Sequence, residues 1–139
     1  MKDRIFIDSN IWVYLFAEES SEKRATSKLF IMENAANAIF VISWQVINEV
    51  INILKRKNKF TESDLRFVMS SMAKICIIQD FSEEILHNAS LLREKHSFSF
   101  WDSLIIATAA TAKCDVVISE DMQNDRIIFG MQIKNIYKS

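Results

Sequence analysis

The sequence predicts an α/β layered fold, a single three-layer domain over residues 1–139 with a central, mainly parallel sheet of about five strands flanked by helices. Three observations carry this. Apolar runs of strand length recur at 4–7, 39–42, 75–78 and 116–119. Between them lie stretches whose apolar residues return every three or four positions, the helical period. Such alternation favours parallel strands joined by right-handed helical crossovers that cover both faces of the sheet. Half of the 139 residues are hydrophobic, enough for one sizeable core, and no repeat, linker or low-complexity stretch divides the chain.

Taken in order, residues 4–7 form a short buried strand that ends at Asp8, and Ser9 and Asn10 lead into a helical turn or two through Ile11, Trp12 and Phe16. Ser21 caps a helix to about residue 38, with Ala25, Leu29 and Met32 as its buried stripe. After the second strand, Ser43 caps a helix whose inner face is Val46, Ile47, Val50, Ile51 and Leu54, and Lys55, Arg56 and Lys57 complement its C-terminal dipole. Thr61 and Asp64 have capping-box spacing for a helix that turns Leu65, Val68, Met69 and Met72 inward. The third strand follows, then a helix from Ser82 to about residue 95. Ser99 opens another, presenting Leu104, Ile105, Thr108 and Ala109 to the core. The fourth strand is 116–119, and the alternation at 132–136 reads as a partly exposed fifth. With no proline and one glycine, Gly130, helix caps and Asn or Asp turns must punctuate the chain.

The formal net charge of −1 lacks the basic excess of many nucleic-acid binders, although a site built from carboxylates would itself lower the total. No apolar stretch is long enough to span a bilayer, and Met-Lys-Asp-Arg leads straight into a strand rather than a signal peptide's apolar segment, so a cytoplasmic protein without membrane contact is expected. Cys76 and Cys114 stand far apart, with neither metal-motif nor CxxC spacing, and read as reduced core thiols.

Four acids fall where this alternation brings chain segments together. Asp8 and Asp121 follow strands directly, while Glu49 and Asp102 lie on helices that start or finish near the same edge. In open parallel sheets, sites form at the carboxyl ends of the strands. Carboxylates forced into one pocket repel one another and raise each other's pKa unless a cation compensates, and an all-oxygen donor set selects hard ions such as Mg²⁺ or Mn²⁺. Asp8 can cap the following helix and still be a ligand. Glu49 borders an apolar face beside Asn48 and Asn52. Asp102 stands three residues after Ser99, a capping position where the helix dipole is expected to lower its pKa and keep it ionised. After the fourth strand Glu120, Asp121 and Asp125 compete. Asp121 is the first choice, Asp125 a second ligand or supporting partner, and Glu120 is expected to point away.

With these residues in view, the chain resembles the PIN-domain ribonucleases that act as toxins of bacterial and archaeal toxin–antitoxin pairs, the VapC-like family. The resemblance runs over essentially the whole chain. It rests on Ile5-Phe6-Ile7-Asp8-Ser9-Asn10, on Glu49, on Phe100-Trp101-Asp102-Ser103-Leu104-Ile105-Ile106-Ala107 and on Ile118-Ser119-Glu120-Asp121-Met122-Gln123. It implies that Asp8, Glu49, Asp102 and Asp121 hold Mg²⁺ or Mn²⁺ and are the catalytic acids, with Ser9, Asn10 and Ser119 in support. It further implies hydrolysis of single-stranded RNA to a 3′-hydroxyl and a 5′-phosphate, a homodimer and an antitoxin partner. Two departures are visible: many relatives carry Gly where this chain has Asp125, and Ser9 replaces a more frequent Thr.

A metal-activated water requires no histidine base, in keeping with His87 and His96 lying outside the acidic motifs. Cations must still hold RNA near a negative pocket. Candidates are Lys23, Arg24 and the cluster Lys55, Arg56, Lys57 and Lys59, which also satisfies a helix terminus. Trp12, Trp44 and Trp101 are expected in the core rather than as stacking platforms. Two alternatives stay open: a non-catalytic interaction domain that keeps the acidic pocket, and a phosphatase using Asp8 as nucleophile, which Asn10 weakens because a second Asp belongs at that position.

Overall fold

The computed structural model describes residues 2–17, 21–57 and 59–138. In chain order the elements are β1 (Asp3–Ile7), α1 (Ser9–Phe16), α2 (Glu22–Asn34), β2 (Ala38–Ser43), α3 (Trp44–Arg56), α4 (Glu62–Ile75), β3 (Cys76–Gln79), α5 (Glu83–Lys95), α6 (Phe100–Thr111), β4 (Val116–Ile118), β5 (Ile127–Ile128) and β6 (Met131–Lys134). The helix starts follow from local chemistry. Ser21, Ser43, Ser82 and Ser99 each accept from the backbone amide three residues on, and Thr61 and Asp64 exchange bonds in a full capping box. Each such cap is worth about 1 kcal/mol.

The strands form one six-stranded sheet in the order β3-β2-β1-β4-β6-β5, parallel except for the β5–β6 pair. β1 is central: Phe6 pairs with Val41 on one side and Val117 on the other. Ile5, Phe6 and Ile7 are all buried although successive side chains point to opposite faces, so helices cover the sheet on both sides. The ladder runs one residue past β1, where the Asp8 amide donates to the Ile118 carbonyl at 2.9 Å. β1 therefore delivers Asp8 to the same edge at which β4 delivers Ser119.

The sheet has six strands rather than five. β5 is only two residues long and is turned back onto β6 by Phe129 and Gly130, both at positive φ (53° and 78°), the geometry of a tight two-residue hairpin. The helix at 22–34 is also shorter than expected, and its inward face differs. Leu29 and Met32 are 56% and 65% exposed and Ala25 is exposed too, while Ser27 and Ile31 point into the core. Ser27 can be buried because its hydroxyl donates to the Lys23 carbonyl (2.8 Å) and meets the Tyr137 hydroxyl (2.6 Å). Met69 also lies outside the core cluster, whereas Leu65, Val68 and Met72 are within it.

Cys76 and Cys114 are both free, one half-buried and one buried, and desolvation pushes each thiol up to about 12, so both stay protonated and unreactive. Among the described residues no helix is long and apolar enough to cross a membrane.

Candidate metal centre

Asp8 occupies the N-cap of α1, and its Oδ1 accepts from the Ser9 amide at 2.7 Å. Its Oδ2 accepts from the Ser119 hydroxyl at 2.9 Å. The carboxyl group is buried, and its pKa is raised from 3.8 to about 6. Desolvation is the chief cause, opposed by the Ser9 and Ser119 bonds and reinforced by the charges of Glu49 and Asp102.

Glu49 lies on the second turn of α3 and is clamped from two sides. Gln45, one helical turn earlier, donates to Oε1 at 2.8 Å, and the Ser9 hydroxyl donates to Oε2 at 3.0 Å. Asp102 sits in the first turn of α6, its amide donating to the Ser99 hydroxyl at 3.1 Å. Its pKa is raised rather than lowered. Burial raises the Asp102 pKa, against the Ser99 bond, and the charges of Asp121 and Glu49 push it further up. Asp121 is exposed just beyond β4, and its Oδ2 accepts from the Asn10 side-chain Nδ2 at 2.7 Å. Asp8 thus lies in the fields of Glu49 and Asp102, and Asp102 in those of Glu49 and Asp121, at the carboxyl edge of the sheet.

Asp125 is placed elsewhere. It has φ +64°, its carboxylate accepts from Gln132 (3.2 Å) and Asn124 (3.3 Å), and it lines a separate cleft with Asn124, Lys134 and Lys138. Glu120 points away from the other acids, accepting from the Tyr14 hydroxyl at 2.7 Å and pairing with Lys23. Partial burial works against its ionisation, but Lys23 and Tyr14 outweigh that and hold its pKa below the usual carboxylate range. Lys23 is therefore already engaged. Lys55, Arg56, Lys57 and Lys59 are exposed at the end of α3 and just beyond it, about two helical turns from Glu49, with Lys55 3.7 Å from Glu62.

The tryptophans divide. Trp12 is fully buried, its Nε1 donating to the Ile7 carbonyl at 3.2 Å, but Trp44 and Trp101 are 48% and 61% exposed. Each lies in the first turn of its helix, at the sheet edge rather than beneath it. With Phe81 they line a cleft of about 840 Å³ whose wall includes Glu49. Sequence reasoning missed this cleft, and it missed Gln45, which the four-residue spacing to Glu49 could have revealed.

The donor set suits a hard divalent cation: all oxygen, carboxylate, and mutually repelling in a way that a positive charge would relieve. Among the described residues no three His, Cys, Asp or Glu side chains are arranged so that they could hold an ion as they stand. Glu49 and Asp121 are instead turned onto Gln45, Ser9 and Asn10.

Fold and site together define an α/β protein with a carboxylate group at the carboxyl edge of a parallel sheet. The model of the PIN domain family matches residues 5–129, and the chain belongs to that family. Among solved structures it is similar to a toxin–antitoxin complex from Klebsiella pneumoniae (TM-score 0.71, 20% identity, 97% of this chain and 99% of that one). It is also similar to VapBC2 from Rickettsia felis, bound to a DNA fragment from its promoter (0.68, 18%, 95% and 98%). A third is VapC20 of Mycobacterium tuberculosis, a sarcin-ricin loop cleaving toxin (0.67, 15%, 81% and 86%). At these identities the likeness is one of fold. No curated protein matches the chain in sequence.

Proposed function

We propose that the chain is a Mg²⁺- or Mn²⁺-dependent endoribonuclease that hydrolyses phosphodiester bonds of single-stranded RNA, acting as one domain and as the toxin of a toxin–antitoxin pair. The observation that carries the chemistry is Asp8: a buried carboxyl raised to about 6, facing Glu49 and Asp102 at the end of the central strand. Held ionised at neutral pH such a group weakens the fold, and a bound cation would remove that cost. The toxin role rests on PIN-family membership together with folds shared with three toxin or toxin–antitoxin structures.

Asp8, Glu49, Asp102 and Asp121 would hold the ion. When bound, it supplies positive charge that makes water more acidic and offsets charge building on the phosphate. The chain's own residues set the stage. Ser9 and Ser119 fix both oxygens of Asp8, Gln45 and Ser9 fix Glu49, and Asn10 fixes Asp121, so these three carboxylates are oriented by neutral donors that do not compete as charges. Asp8 is buried with both oxygens bonded, which suits an orienting ligand better than a nucleophile that must reach substrate.

Homodimerisation fits the apolar face that Leu29 and Met32 leave in solvent. The test of the main reading is direct. Purified protein should cut single-stranded RNA with Mg²⁺ or Mn²⁺, stop in EDTA, and stop again as Asp8→Asn or Asp102→Asn while the far-ultraviolet spectrum is unchanged. Cleavage by both variants at the parental rate would refute the assignment.

A further inference from the structure

The cleft beside Glu49 has a character that the acidic centre does not explain. Trp44, Phe81 and Trp101 expose aromatic surface in it, and Gln45, Asn48 and Asn52 supply amides. Large rings left in water at the rim of a site mark a binding surface. Two of them are held in place: the Trp44 Nε1 donates to Asp80 at 2.7 Å, and Trp101 meets Phe100 edge to face at 5.0 Å. Among the described residues its lining has no cation and one charged group, Glu49, so the cleft itself suits a flat neutral ring better than a phosphate.

Gln45 adds a specific polar demand. It is only 8% exposed, its Nε2 is committed to Glu49, and its Oε1 has no hydrogen-bond partner. A buried acceptor without a partner is costly, and a small turn of the Gln45 side chain toward the cleft it lines would let it accept from a nucleobase N–H. Trp44, Asn48 and Asn52 recur every four residues along the exposed side of α3, and that line continues toward Lys55 and Arg56 in the last turn.

We propose that this cleft seats an unpaired nucleobase of the RNA substrate, stacked on Trp44 and Trp101 with its edge met by the α3 amides, which places the adjoining phosphodiester at Glu49. The proposal rests on the ribonuclease reading for the identity of its ligand. It makes single-strandedness a property of the site, because a base still paired and stacked in a helix cannot enter.

The test uses Trp44→Ala and Trp101→Ala beside Trp44→Phe and Trp101→Phe. Stacking held in ground and transition states alike sets KM, so each alanine variant should raise KM for single-stranded RNA by between about 5- and 150-fold with kcat little changed, and each phenylalanine variant should keep most of the parental KM. A second measurement needs no cleavage. Asp8→Asn protein is titrated with a short single-stranded oligoribonucleotide and with an abasic ribose-phosphate oligomer of equal length, reading tryptophan fluorescence. Quenching by the first and not the second is expected. Parental KM in both folded alanine variants, or equal binding of the two oligomers, overturns the proposal and leaves the cleft to a protein ligand. Should the parent cut no RNA, the ribonuclease reading fails, and quenching by the base-bearing oligomer alone still decides for or against the cleft.

Discussion

Replacing Asp8 by asparagine should stabilise the metal-free protein at neutral pH while abolishing its activity. The folded-state pKa of about 6 lies above the 3.8 of the unfolded chain, so the native state binds the extra proton between these values. The stability that Asp8 itself contributes is therefore fully present below pH 3.8, is lost as pH rises through 6, and changes no further above it. At 1.36 kcal/mol per pH unit, the gap corresponds to a cost of about 3 kcal/mol for the ionised group at pH 7. Asparagine resembles the protonated acid. It keeps an acceptor for the Ser9 amide, and the Ser119 hydroxyl can rotate to accept from the new amide group. In EDTA at about pH 7.5, urea unfolding followed by circular dichroism should show the variant more stable by up to about 3 kcal/mol, and its midpoint temperature higher by roughly 10 °C. Near pH 4 the two proteins should converge. A variant less stable than the parent at both pH values, or a gain of equal size at both, would refute the argument that burial and like charge dominate at Asp8.

Millimolar Mg²⁺ or Mn²⁺ should raise the parental melting temperature, by about 2.7 kcal/mol of stability at a hundredfold excess over Kd, and should do little for Asp8→Asn in the same scan. Asp121→Asn should reduce cleavage by at least about 100-fold, whereas Asp125→Gly should cut RNA like the parent and unfold within about 1 kcal/mol of it, since glycine adopts positive φ freely. Loss of activity in the second variant and not the first would reverse that assignment. Trp12→Ala should cost about 3–5 kcal/mol in chemical denaturation, as a fully buried indole leaves a cavity and an orphaned Ile7 carbonyl. On the proposed homodimer, light scattering should find the parent at twice the monomer mass and Leu29→Glu with Met32→Glu at the monomer mass, with the circular dichroism spectrum intact.

What could be read from the chain was whatever is decided locally. A serine or threonine cap bonds an amide three residues away, so Ser21, Ser43, Thr61, Ser82 and Ser99 marked five helix starts without tertiary information. The positions of Asp8 and Asp121 were legible because β1 ends one residue before the first and β4 three residues before the second. The face of α2 was not, because Leu29 and Met32 have the spacing of a core stripe, and only Tyr137, 110 residues beyond Ser27, explains why a serine lies inward instead. Trp44 and Trp101 were misplaced for a related reason. Composition favours burying an indole, but a position in the first turn of a helix at the sheet edge leaves it facing solvent. The expected lowering of the Asp102 pKa is replaced by a rise, because burial and the carboxylates of Asp121 and Glu49, brought in from distant parts of the chain, are invisible in the local capping pattern. β5 escaped notice because two residues carry no periodicity.

The central place of β1 has a consequence for synthesis. Its first neighbour, β2, emerges from the ribosome some thirty residues after it, but its second, β4, comes only with residue 116. Until then the nascent chain carries Asp8, Glu49 and Asp102 without Ser119 or Asp121, and one edge of its innermost strand is unpaired. Chain order thus sets the order of assembly: the acidic centre is complete only once β4 and the residues just beyond it have joined the first strand.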